Sequence, residues 1–116
     1  MCMNAEIKVL QDVILLHLLD EDVISIILFG SFARGEQTIY SDMDVALVFA
    51  QDIKIPRGHL SQFREVVEDE MEKYHREVGW FPTNEFNLAN AAILFDTNTS
   101  IMKEGITLWT KTLTMQ

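Results

Sequence analysis

The hydrophobic pattern of this chain switches between two periods. Over residues 4–19, Ile7, Leu10, Val13 and Ile14 recur at helical spacing, with Leu16 and Leu18 beyond them. Asp20, Glu21 and Asp22 then end the run in water. Residues 23–29 (VISIILF) make a short β-branched run, which reads as a strand covered on both faces. Gly30 and Ser31 break it, and residues 44–49 (DVALVF) form a second strand of the same kind. After a loop at 51–56, Leu60, Phe63, Val67, Met71, Tyr74 and Val78 predict a helix over 57–78, charged on its other face and stopped by Gly79. Residues 83–89 (TNEFNLA) alternate polar and apolar, predicting a strand with one solvated or functional face. A helix is expected over 91–104 with Gly105 as its cap, and 106–110 is either a last strand or a tail. Alternating strands and helices predict an α/β (α+β) fold, a single small mixed sheet with helices packed against it.

At 116 residues there is room for one domain, residues 1–116, and one core. Nine basic residues against eighteen acidic ones give a net charge of −9. Such a surface repels a nucleic-acid backbone, so a long polynucleotide is not the expected substrate. No apolar run is long enough for a membrane span, and the N-terminus lacks the layout of a signal peptide. Cys2 is the sole cysteine, which excludes a disulfide framework and a Cys-based zinc site; a cytoplasmic location is expected. His59 and His75 match no metal-ligand spacing, and Glu65, Glu68, Asp69, Glu70 and Glu72 read as a solvated helix face.

Chemistry concentrates between Gly30 and Phe49 (GSFARGEQTIYSDMDVALVF). Side chains two apart on a strand point the same way, so Asp42 and Asp44 aim at one side while Met43, Val45, Leu47 and Phe49 aim at the other. Two carboxylates about 4 Å apart repel by roughly 4 kcal/mol at an effective dielectric of about 20. A hard divalent cation such as Mg²⁺ relieves that repulsion and binds substrate phosphates as well. Gly30 and Ser31 supply the other half: glycine lets backbone approach a phosphate, and the N–H groups of a helix starting near Phe32 favour an anion. The Ser31 hydroxyl adds a donor and Arg34 a charged fork.

Gly30-Ser31, ten residues, then Asp42-Met43-Asp44 resembles the GS-x10-D-x-D signature of the DNA polymerase β-like nucleotidyltransferase superfamily. The longer string resembles the GSxARG…SDxDL form of minimal nucleotidyltransferases, small proteins that are often antitoxins paired with a HEPN-domain toxin. The resemblance implies Mg²⁺-dependent transfer of a nucleoside monophosphate, AMP from ATP, to an acceptor hydroxyl. It implies that Gly30 and Ser31 hold the triphosphate, and that Asp42 and Asp44 ligate the metal. The family also uses a third carboxylate on a later strand, for which Glu85 in NEFNLAN is the best match. The acceptor expected from the antitoxin branch is a tyrosine of the HEPN toxin, in a homo- or hetero-oligomer. Two alternatives stand beside it: a nucleotidyltransferase fold that neutralises its partner by contact alone, and a small-molecule enzyme modifying an aminoglycoside-type cation.

Overall fold

The computed structural model describes residues 5–18, 22–50, 60–90 and 97–111. In chain order they form α1 (Ala5–His17), β1 (Val23–Phe29), α2 (Ser31–Arg34), β2 (Met43–Phe49), α3 (Ser61–Glu72), β3 (Val78–Asn84), α4 (Glu85–Ala89), α5 (Thr97–Glu104) and β4 (Ile106–Thr110). The four strands make one mixed sheet in the order β3-β2-β1-β4. Strand β1 runs antiparallel to both β2 and β4, and β2 runs parallel to β3. The expected α+β architecture is therefore the observed one, and residues 106–110 are a strand rather than a tail.

Helix periodicity decides one face of the sheet. Ile7, Leu10 and Ile14 of α1 and Phe63, Val67 and Met71 of α3 pack against Met43, Val45, Leu47 and Phe49 of β2. Burying one such side chain contributes roughly 1.5–3 kcal/mol, so this layer dominates the core. Val23, Ile26 and Leu28 of β1 join it, and the register shift between Val23 and Ser25 lets Val23 and Ile26 share that face. On the opposite face Phe29 and Ala46 pack with Ile101 of α5. There the buried Thr83 donates a hydrogen bond of 2.6 Å to Asn98 Oδ1, fastening β3 to α5. Strand β3 is an edge of the sheet and carries Pro82, which has no N–H to donate.

Two expected boundaries move. The helix predicted over 57–78 is observed as Ser61–Glu72, with 57–59 outside the described residues, and its apolar spacing continues past Glu72 into residues that leave it. His75 takes the left-handed conformation at φ 59°, Arg76 N–H bonds Met71 O at 3.2 Å and His75 N–H bonds Glu72 O at 2.8 Å. That pair of bonds is a Schellman stop, which frees residues 78–84 to pair with β2. Residues 83–89 are not one strand: Thr83 and Asn84 end β3, and Glu85 opens α4. Asn84 caps that helix by accepting a 2.8 Å bond from Asn87 N, a cap signal hidden within the alternation of TNEFNLA. The helix expected over 91–104 is observed over Thr97–Glu104, with 91–96 outside the described residues, and Gly105 N–H bonds Ile101 O at its end.

A non-glycine residue in the left-handed region costs roughly 1–2 kcal/mol. His75→Gly is thus expected to raise unfolding stability by about 1 kcal/mol at unchanged urea m-value. A lower midpoint for the glycine variant would show that the imidazole contributes more than its backbone costs.

Candidate active site

The turn that leaves β1 is shaped by Gly30. Its backbone lies at φ 78°, ψ −155°, a region that only glycine occupies readily. The single turn α2 follows, anchored by the buried Phe32 and closed by Gly35 at φ 73°. Glu36 N–H bonds Ser31 O at 2.9 Å and Gly35 N–H bonds Phe32 O at 3.3 Å, the same stop used after α3. The chain then returns through Thr38–Ser41 to Asp42, exposed at the mouth of β2.

Antiparallel pairing of β1 and β2 closes the site. Phe29 pairs with Asp44, so the end of one strand meets the start of the other. The Asp44 carboxylate lies directly over Gly30, where any Cβ would overlap Asp44 Oδ2. On its other side Asp44 pairs with Gly79, whose Cβ, if present, would lie 3.4 Å from Asp44 Oδ1. The carboxylate is thus flanked by two glycines, and backbone rather than side chain surrounds it. Burial raises the Asp44 carboxyl above the ordinary carboxylate range and the charge of Asp42 raises it further, while Arg34 opposes both. The two aspartates therefore interact electrostatically, Asp44 within β2 and Asp42 exposed just before the strand begins at Met43.

Arg34 is close enough to influence Asp44, but its guanidinium is engaged with Glu36 Oε1 at 2.8 Å and Glu104 Oε2 at 2.9 Å. It is exposed, so the two ion pairs are of the kind that contributes little and exchanges readily.

Glu85 is not brought to the aspartates. Gly79 pairs with Asp44 at one end of β2, whereas Asn84 pairs with Phe49 at the other, and Glu85 follows Asn84. At about 3.3 Å per strand residue that places it roughly 20 Å along the sheet, exposed at the start of α4. The expectation of a strand carboxylate at Glu85 is corrected: the strand position that faces Asp44 is Gly79, which has no side chain. Among the described residues no three His, Cys, Asp or Glu side chains gather as a metal site. The sequence signal for Gly79 was present, since a glycine within a strand marks close approach, but it reads as a helix stop when the strand is not recognised.

The donor set fits a hard divalent cation. Two carboxylates close enough to repel stand together, Asp44 raised by burial first and by the charge of Asp42 second, and the glycines at positions 30 and 79 bring backbone against Asp44 with no side chain between. Asp42 and Asp44 are the residues that would hold it. The ahead-of-ladder N–H groups of the α2 turn begin at Ser31, beside Asp44 through Gly30.

A small mixed sheet with a glycine-serine turn set against a paired-aspartate strand defines a nucleotide-transfer fold. Residues 11–101 match the family model of the nucleotidyltransferase domain, and the chain belongs to that family. Solved structures share the fold. One is a toxin–antitoxin crystallised with AMP-PNP, at TM-score 0.57 and 19% identity over 95% of this chain and 76% of that one. A mutant of the toxin–antitoxin MntA-HpeT gives TM-score 0.53 and 16% identity over 95% and 75%. A candidate nucleotidyltransferase from Sulfolobus solfataricus gives 0.51 and 17% over 90% and 83%. No curated protein matches in sequence. The chain is consistent with the minimal nucleotidyltransferases in family and fold, as its signature implied.

Because the folded state holds the Asp44 proton to higher pH than the unfolded chain, the stability linked to this group is fully present below the ordinary value of 3.8. It is lost as pH rises through the raised value. In EDTA at pH 7, Asp44→Asn is accordingly expected to melt at a higher temperature than the wild type, with the gap closing below about pH 4. An Asn variant that melts lower at pH 7 without divalent cation would refute the buried-charge account.

Proposed function

We propose that the protein is a Mg²⁺-dependent nucleotidyltransferase that moves AMP from ATP onto a hydroxyl of a partner protein. The observation that carries this reading is the seating of Asp44 against Gly30, which sets the glycine-serine turn directly beside the second of the two aspartates. Bound Mg²⁺ supplies charge neutralisation for the triphosphate and for the departing pyrophosphate. Asp42 and Asp44 hold the cation. Gly30 lets the phosphates approach backbone, and the Ser31 hydroxyl and the first N–H groups of α2 orient them. Arg34, in this arrangement, exchanges Glu36 and Glu104 for a phosphate oxygen. The acceptor oxygen attacks the α-phosphorus and a new P–O ester forms. The bond to the β-phosphate breaks, pyrophosphate leaves with the electron pair, and the hydroxyl proton passes to solvent.

The toxin–antitoxin neighbours and the GSxARG signature support an antitoxin whose acceptor belongs to its toxin, of the HEPN class in that signature's branch, in the cytoplasm where ATP and Mg²⁺ are plentiful. The net charge of −9 suits a basic partner surface. Among the described residues no helix is long and apolar enough to cross a membrane. A second reading, neutralisation by binding alone, is favoured by one observation: Gly79 stands where a third carboxylate would face Asp44, and Glu85 lies far from it.

Labelled-ATP transfer to the co-expressed partner separates them. Asp42→Asn is expected to cut transfer on the order of 1000-fold, with circular dichroism unchanged. Undiminished transfer would remove the metal assignment, and neutralisation that survives Asp42→Asn together with Asp44→Asn would favour the binding-only reading.

A further inference from the structure

We infer that Arg76 is a positioning residue for Asp42, the exposed member of the carboxylate pair. It lies in the turn between α3 and β3, with its side chain only 10% exposed. Its guanidinium engages three separate parts of the chain. Nε donates to Glu6 Oε2 at 2.6 Å and Nη2 to Glu6 Oε1 at 3.2 Å, a two-pronged pair with α1. Nη1 donates to Thr38 O at 2.7 Å and to Ser41 O at 3.1 Å, both in the loop that delivers Asp42. The planar group also stacks over the ring of Phe32, 4.8 Å from its centre, in the α2 turn.

The two carbonyls on Nη1 are not interchangeable with others on the loop. Ser41 O belongs to the peptide immediately before Asp42. The peptide immediately after it is held as well, because Met43 N–H bonds Glu77 O at 2.8 Å. Consecutive residues 76 and 77 therefore grip the chain on both sides of Asp42, one by side chain and one by backbone. Within the loop, Thr38 O also accepts Ser41 N–H at 3.2 Å, and Thr38 N–H bonds Ser41 Oγ at 2.8 Å. That turn is small and exposed, so its own bonds are open to competition by water; Arg76 is the contact that ties it to buried structure. A planar fork is required here: lysine keeps the charge but cannot reach Glu6 and two carbonyls while stacking on Phe32. The left-handed His75 immediately precedes Arg76, ending α3 where this side chain begins its contacts with Glu6, Phe32 and the loop.

The value of the clamp to the molecule rests on the metal-dependent reading above, but the clamp itself is measurable without metal. In the metal-free protein, amide hydrogen exchange of Ser41 and Met43 is expected to quicken at least tenfold in Arg76→Met and by a smaller factor in Arg76→Lys. Exchange of Ile26 and Leu28 in the sheet core is expected to stay within twofold of wild type. Mn²⁺ binding, followed by electron paramagnetic resonance, should weaken in the same order, about tenfold in Arg76→Met. Glu6→Gln, which disturbs the α1 side of the same guanidinium, is expected to lower the melting temperature while leaving Ser41 and Met43 exchange and Mn²⁺ binding within twofold. Unchanged loop exchange in both Arg76 variants would overturn the inference. So would uniform quickening of the whole sheet, or a loss of Mn²⁺ binding in Glu6→Gln equal to that in Arg76→Met. Wild-type protein that takes up no Mn²⁺ would instead overturn the metal-dependent function, and the exchange data would still decide the clamp.

Discussion

The antiparallel pairing of β1 with β2 is the constraint on which the rest depends. It sets the exit of one strand beside the entrance of the next, so Phe29 faces Asp44 and the Gly30 turn falls under a carboxylate. Side chains on β2 then separate by face: Met43, Val45, Leu47 and Phe49 go to the layer under α1 and α3, and Asp44 goes to the other side. The same alternation that builds the core thereby keeps both acidic groups out of it. Charge that would be costly inside the helix-covered layer is left at the sheet end, where a hard cation and a polyphosphate can neutralise it.

Local patterns made much of this legible. β1, β2 and the Gly30-Ser31 break depend on spacing within about twenty residues, and the structure places all three as the spacing implied, with Asp44 in β2 and Asp42 just before it. What the sequence hid is non-local. Val78 continues a helical period that began at Leu60, yet it pairs with Met43, because β2 requires a parallel neighbour on its free side. Tertiary pairing overrode propensity there, and one displaced boundary carried the next with it. Once β3 begins at Val78, the alternation of 83–89 has no strand left to describe, and Glu85 moves from a site face to a helix start. Arg76 gave no signal at all, for a single arginine at the end of a charged helix reads as solvated surface.

The displaced boundary also changes the chemistry on offer. With glycine rather than a carboxylate facing Asp44, the chain presents two acidic groups and a bare strip of backbone beside them. Under the proposed function, the proton of an acceptor would find no third carboxylate facing Asp44 from β3, and transfer would depend on how well the incoming hydroxyl is oriented by the surface bringing it.

Pro82 gives that approach a direction. It is exposed, on the edge strand that carries Gly79 beside Asp44, with no further strand paired outside it among the described residues. Without an amide hydrogen there, a visiting strand cannot continue a regular ladder past the middle of β3. Self-association through stacked sheets is discouraged by the same gap. A partner of the kind proposed above would find at this border a strand that resists being zipped into a longer sheet, and would have to hold on by side chains instead.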